Sequence, residues 1–273
     1  MKFRVITLST AAVAASVILS GCCCKSACKF AVGSPREKVT ITKAAAKVKV
    51  DGVINEKEWK GAPVYKMARA YAYHSPYATP AKVYDHVSRK GHEVEPFQGG
   101  TVRIMYDKNF LYVAAELTDS DINNIAKADQ EKLNGTGDVL MVYLKPADSP
   151  SFWECQLSPN SKKATFFFPT RGYPINPDAN TIMPKMKAAA KVQGTINNYK
   201  KADKGWTVEA AIPVSQLKKA GCEFKPGKNW TILIARNNCN FNSIEVTPQY
   251  SSYPELPSNN FTGIEYYADI VWK

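Results

Sequence analysis

A saccharide ring is gripped by an aromatic face stacked on its axial hydrogens and by planar polar side chains that pair with neighbouring hydroxyls. The C-terminal third of the chain groups those residue types. Arg236, Asn237 and Asn238 leave an apolar stretch that begins at Trp230, and Tyr250 and Tyr253 follow in the loop bounded by Pro248 and Pro254. Trp153, flanked by Phe152 and Glu154, is a second candidate platform. The competing reading is a structural loop, because aromatic loops often just pack. Other chemistries are less well supplied. A glycosidase needs two acids facing each other across the bond it cuts. The acids on offer are Glu93 and Glu95 beside His92, or Asp138 with Glu154. The chain holds no Gly-x-Ser-x-Gly, no His-Glu-x-x-His and no phosphate loop, so hydrolysis is the minority reading and no residue is assigned to catalysis. His74, His86 and His92 stand 12 and 6 residues apart, which matches no compact metal motif. Met105, Met141, Met183 and Met186 are available to a haem, although methionines at such positions mostly fill core gaps.

The N-terminus carries a different signal. Lys2 and Arg4 precede an apolar run from Val5 to Leu19, and small residues then lead to Cys22 in Leu19-Ser20-Gly21-Cys22. This is a processing segment, too short to span a bilayer stably as a helix. The string resembles the cleavage box of bacterial lipoproteins. That resemblance implies a mature chain beginning at Cys22, acylated there and held on a membrane outside the cytoplasm, with several acyl chains making the anchorage durable. Cys23 rather than Asp follows, which favours the outer membrane of the cell envelope. The whole chain has 36 Lys+Arg against 24 Asp+Glu, a formal +12, and loss of residues 1–21 removes two basic residues to leave +10. A basic exported protein favours anionic partners such as an acidic polysaccharide; a solubilising charge spread over many strands reads equally well. Basic runs interleaved with aromatics are missing, so nucleic acid is not expected. Cys22, Cys23, Cys24 and Cys28 crowd the anchor, while Cys155, Cys222 and Cys239 sit in the body; with Cys22 lipidated, the pairing of the other six is open.

The elements that must position these residues are strands. From Cys23 to about Val39 the chain is small, polar and basic, a flexible tether, and the folded part is expected to run from Val39 to Lys273. Leu111, Val113, Ala115 and Leu117 alternate with their neighbours, as do Trp206, Val208, Ala210 and Ile212. Branched and aromatic residues bounded by turn formers mark further strands at 102–106, 139–144, 152–157, 230–235 and 264–272. Short helices are predicted at 56–60, 122–132 and, after Pro213, at 214–219. Residues 70–100 and 169–184 read as long loops, where binding surfaces tend to lie. The pattern is an all-β antiparallel sandwich, immunoglobulin-like or jelly-roll-like, with a few short helices.

Five segments in order resemble the family 9 carbohydrate-binding module, a β-sandwich of jelly-roll-like topology. They are Val50-Asp51-Gly52 through Trp59, Val102 through Asp121, Gly137-Asp138-Val139, Gly205-Trp206 through Pro213, and Trp230 through Arg236. The resemblance covers residues 48 to 273 and implies non-catalytic binding of a polysaccharide or oligosaccharide. It also implies calcium, for which Asp51, Glu56 and Asp119 are the candidate oxygen ligands. A Trp is typical of the family near Tyr253. The family's acid shortly after Gly-Asp is replaced here by Leu140 and Met141, and its clamp of two tryptophans has no clear match. Trp59 and Trp206 read as core, and Asp107-Lys108-Asn109 as a tight hairpin turn.

Overall fold

The computed structural model describes residues 34–69, 97–172, 183–240 and 248–273. The processing box with Cys22, most of the tether, all three histidines, Glu93 and Glu95 lie outside the described residues.

Thirteen strands are described: β1 (Lys38–Lys43), β2 (Val64–Lys66), β3 (Ala68–Arg69), β4 (Gly100–Tyr106), β5 (Phe110–Thr118), β6 (Val139–Pro146), β7 (Phe152–Leu157), β8 (Lys163–Phe168), β9 (Lys187–Gln193), β10 (Gly205–Pro213), β11 (Trp230–Asn238), β12 (Gln249–Tyr253) and β13 (Ala268–Trp272). One layer follows the order β8-β7-β6-β11-β13 and the other β4-β5-β10-β9, with β1 joining them. The joint is a single strand shared between layers. Lys38–Ile41 pair in parallel with Asp269–Trp272 of β13, and Thr42–Lys43 pair in parallel with Met105–Tyr106 of β4. The expected antiparallel sandwich thus holds except at β1, where both pairings are parallel.

Between the layers, alternate residues of every central strand meet: Ile104, Leu111, Val113, Leu140, Val142, Trp153, Trp206, Val208, Ile232 and Ile234 are all buried in one cluster. Each layer also carries a smaller apolar cluster on its outer face. On the first, Val139, Met141, Tyr143, Phe152, Phe166 and Leu233 are covered by Leu256, Phe261 and Tyr267. On the second, Met105, Tyr112, Ala114 and Ala211 are covered by Val48 and Trp59. The outer faces therefore need segments 44–62 and 254–267 to keep water off them.

The motif segments are explained by this packing. Glu209 of β10 accepts hydrogen bonds from the indole Nε1 of Trp59 (2.8 Å) and from the backbone N–H groups of Asp51 and Gly52 (both 3.0 Å). Gly52 has φ +82°, and a Cβ there would lie 2.7 Å from the Ala190 carbonyl carbon, so glycine is required. Asp107 takes the N–H groups of Asn109 and Phe110 at 2.7 Å and the hydroxyl of Tyr112 at 2.8 Å, the hairpin turn expected from its sequence.

Three local expectations are corrected. Residues 122–132 form no helix: Asn123 and Asn124 bind backbone groups of their own vicinity, with Asn124 Oδ1 accepting from Ala126 N–H and Asn123 Nδ2 donating to the Asp121 carbonyl. A 3-10 turn follows instead at Leu133–Gly135. Residues 56–60 form hydrogen-bonded turns, whereas Val214–Leu217 is helical as expected, with a 3-10 turn at Lys218–Ala220. The Pro-bounded stretch around Tyr250 is strand β12, not a loop, since its backbone pairs with β11 and β3.

Candidate functional site

The geometry turns on β11, whose successive side chains face opposite ways. Ile234, Arg236 and Asn238 point between the layers. Arg236 is fully buried. Its Nη1 donates to the carbonyls of Gln98 (2.9 Å) and Thr118 (2.8 Å), and its Nη2 to Asp119 Oδ2 (2.9 Å) and Asn238 Oδ1 (2.6 Å). Trp206 Nε1 donates to the same Asp119 oxygen at 3.1 Å. Asp138 lies alongside, accepting from the N–H groups of Asn123 and Cys239 at 2.7 Å each. Burial pushes both carboxyls up, and at Asp138 the neighbouring Asp119 carboxylate adds to the desolvation. Burial with these acids also raises the Cys239 thiol to about 12. The cluster ties β11 to the end of β5 and the start of β4. Arg236 and Asn238 are thus brought together, but as an interior tie rather than a saccharide contact.

The other predicted residues disperse. Trp153 is 2% exposed and belongs to the central core, donating from Nε1 to the Leu217 carbonyl at 3.3 Å. It offers no open face for a sugar, because alternation along β7 turns Trp153, Cys155 and Leu157 inward. Tyr250 and Tyr253 are three residues apart on one strand and so lie on opposite faces. Tyr253 faces inward, stacked on Tyr65 with centroids 4.5 Å apart, and burial raises its hydroxyl to about 12. Tyr250 faces outward, its ring edge-on to Phe261 at 5.8 Å.

Among the described residues the acids do not make a metal site or a glycosidase pair. Asp51 is paired with Lys49 (2.8 Å), Glu56 with Arg103 (3.0 Å) and Asp119 with Arg236 (2.9 Å), three separate cations of the protein itself. Among the described residues no group of three or more His, Cys, Asp or Glu is placed to hold a metal ion. The expected calcium ligands do not fit that role. Asp138 sits in the interior tie, while Glu154 lies on the outer face, where Gln156 Nε2 donates to it at 2.6 Å and burial raises its carboxyl. The sheet separates them. Met105 and Met141 fall in the two outer clusters and Met183 and Met186 in the core, so they share no ligand position. Cys155, Cys222 and Cys239 are free thiols.

What remains is the outer face of β6, β7, β11 and β12. Register places Asn237 opposite Tyr250 and Val139, and Ala235 in a row with Met141 and Gln156. Gln156 Oε1 accepts from the Asn134 N–H at 3.3 Å. The side-chain oxygens of Asn134 and Asn237 are buried and receive no hydrogen bond among the described residues. A buried acceptor without a donor costs about 1–3 kcal/mol, so each calls for an explanation. Sequence reasoning missed Asn134, Gln156 and Phe261 here. Asn237 was within its reach, since strand alternation alone sends it opposite to Arg236.

The fold is a two-layer β-sandwich whose outer face carries a few polar groups beside an aromatic edge. The chain belongs to the family described as carbohydrate family 9 binding domain-like, whose model matches residues 50–240. Among solved structures it is similar to a candidate carbohydrate-binding protein from Bacteroides uniformis ATCC 8492, at 10% identity and TM-score 0.63, over 88% of this chain and 100% of that one. It is also similar to a family 9 module from Caldicellulosiruptor kristjanssonii solved with cellotriose (14% identity, TM-score 0.54, 87% and 94% covered). The glucose complex of a family 9 module from the same organism gives 14% identity and TM-score 0.53, with 87% and 96% covered. No curated protein matches. Likeness at this identity speaks to the fold.

Proposed function

We propose that the protein is an exported, lipid-anchored binder of saccharides without catalytic activity, and that it contacts them through the outer face around Asn237 and Tyr250. The observation that carries this reading is the buried, unanswered amide oxygen of Asn237 opposite the Tyr250 edge. Saccharide hydroxyls are the donors such acceptors lack, and the Tyr250 ring supplies apolar contact for a sugar's C–H face. Family membership supports the class of ligand, and cellotriose and glucose bound by family 9 modules illustrate it. Among the described residues, the candidate acids Asp138 and Glu154 are buried and separated by a sheet, which supports a binding role.

The box at Leu19–Cys22 supports an organisation in three parts: a processing segment 1–21, a tether 22–38 acylated at Cys22, and a binding domain 39–273 held in the cell envelope outside the cytoplasm, on the outer membrane. A second reading, a sandwich that has lost its ligand, draws on Met141 and Ala235, which put apolar side chains in the middle of the same face under Phe261. A glycan array probed with the full-length protein in neutral detergent, at low and physiological salt, separates the two. Capture of a defined glycan that survives salt supports the binding reading, since screening removes simple charge attraction. An empty array favours the second. Cys22→Ala should move the protein from the membrane to the soluble fraction; retention on the membrane would remove the anchor.

A further inference from the structure

A second concavity lies on the opposite layer. Segment 44–50, β5, β9 and β10 enclose a cleft of about 220 Å³. That is below the range of about 300–1,000 Å³ typical of drug-sized sites, so it suits one sugar ring or less. Its lining is unusual in pairing aromatic floor with cationic walls: Phe110 and Tyr112, with centroids 5.9 Å apart, stand beside Val48, Lys47, Lys49 and Lys187.

The charge balance of the cleft is one-sided. No carboxylate lines it. Asp51 answers Lys49 at 2.8 Å, and Asp107 is engaged by the Tyr112 hydroxyl and two backbone N–H groups. Among the described residues, no ion pair forms at Lys47 or Lys187, and both are exposed. They come from different elements, Lys187 from the edge strand β9 and Lys47 from the segment that covers Tyr112. Ammonium groups on two independent elements, over an aromatic and aliphatic floor, match a ligand with an anionic substituent on a ring that has an apolar face.

We propose that this cleft is a separate binding site for the anionic sugar units of a polysaccharide, carboxylated or sulfated. The choice of a saccharide rests on the proposed function above; the site, the residues and the charge preference do not. In this arrangement Phe110 packs against the ring while Lys47 and Lys187 meet the carboxylate or sulfate.

The test is titration calorimetry on the full-length protein in neutral detergent at physiological salt, with a uronic acid oligomer, a sulfated oligosaccharide, a neutral gluco-oligomer and poly-glutamate as probes. The expected result is binding of an acidic oligosaccharide that falls about tenfold in Lys47→Gln/Lys187→Gln, with neutral-sugar binding unchanged. Phe110→Leu, which keeps volume but removes the aromatic face, should weaken the same ligand about threefold or more. Both lysines are exposed, so the double variant should fold, as circular dichroism would show. Acidic sugar bound equally by parent and double variant would overturn the site. Neutral sugar bound without any acidic preference would overturn it while leaving the proposed function standing, whereas binding of no sugar at all would remove both. Poly-glutamate bound as well as the acidic sugars would overturn the saccharide class in favour of an acidic peptide.

Discussion

Arg236 and Asn237 are neighbours in the chain and opposites in the molecule. Arg236 is buried between the layers with five hydrogen-bond partners from other residues, one of them a carboxylate. Asn237 faces outward beside Tyr250, with a buried oxygen that nothing among the described residues answers. The inward side is knit by these bonds and serves the fold, although Arg236 Nε is itself buried without a partner among the described residues; the outward side presents the Asn237 oxygen and the Tyr250 edge, which the proposed ligand would meet. Polar clustering in a sequence is thus no guide to function until register is known. A buried charge held by a carboxylate and several carbonyls is architecture, whereas an unanswered acceptor takes its meaning from the face it lies on.

Breaking the inward side should give the largest effect. Asp119→Ala leaves the Arg236 guanidinium buried without its counter-charge, and a loss of about 3–5 kcal/mol in denaturant unfolding is expected. A loss under 1 kcal/mol would mean that water reaches the cluster. Next comes the cover. Phe261→Ala should cost about 3 kcal/mol by emptying the aromatic position over Tyr143 and Tyr250, measurable by the same method.

The acids give a pH signature of the inward side. Asp138 and Glu154 are raised in the folded state by burial. A raised carboxyl binds its proton more tightly folded than unfolded, so its stabilising contribution is fully present below the unfolded value, about 4, and is lost as pH rises through the folded value. The melting temperature should therefore increase as pH falls from 7 towards 5, and Asp138→Asn should flatten that rise. The exposed pairs at Asp51 and Glu223, whose carboxyls are lowered, act in the opposite direction but are weakened by solvent. A melting temperature that falls over this interval would contradict the assignment. The smallest stability effect belongs to the outward side: Asn237→Ala should change unfolding by less than about 1 kcal/mol, and it relieves an unanswered oxygen.

The sequence made some of this plain. β5, β7 and β10 were readable because aliphatic and aromatic residues alternate or run together between turn formers. β9, Lys187–Gln193, was not: its alanines give little amphipathic contrast, and its place is fixed by pairing with β10. β12 reads as a loop in the sequence because its interior is Gln249, Ser251 and Ser252, polar residues buried against β11 and β3. The candidate site was half legible for the same reason. The residue types were correct, but register decides which of Tyr250 and Tyr253, or Arg236 and Asn237, share a face, and register depends on partner strands far along the chain.

The central claim is that the outward face of β11 and β12 holds a saccharide while the inward face holds the fold. Calorimetric titration of the full-length protein with the glycan captured on the array, run beside Tyr250→Ala, tests it most directly. The account expects an affinity lower by about tenfold in the variant, with the β-sheet circular dichroism of the parent retained. Equal affinity in parent and variant would place the binding surface elsewhere and contradict the account.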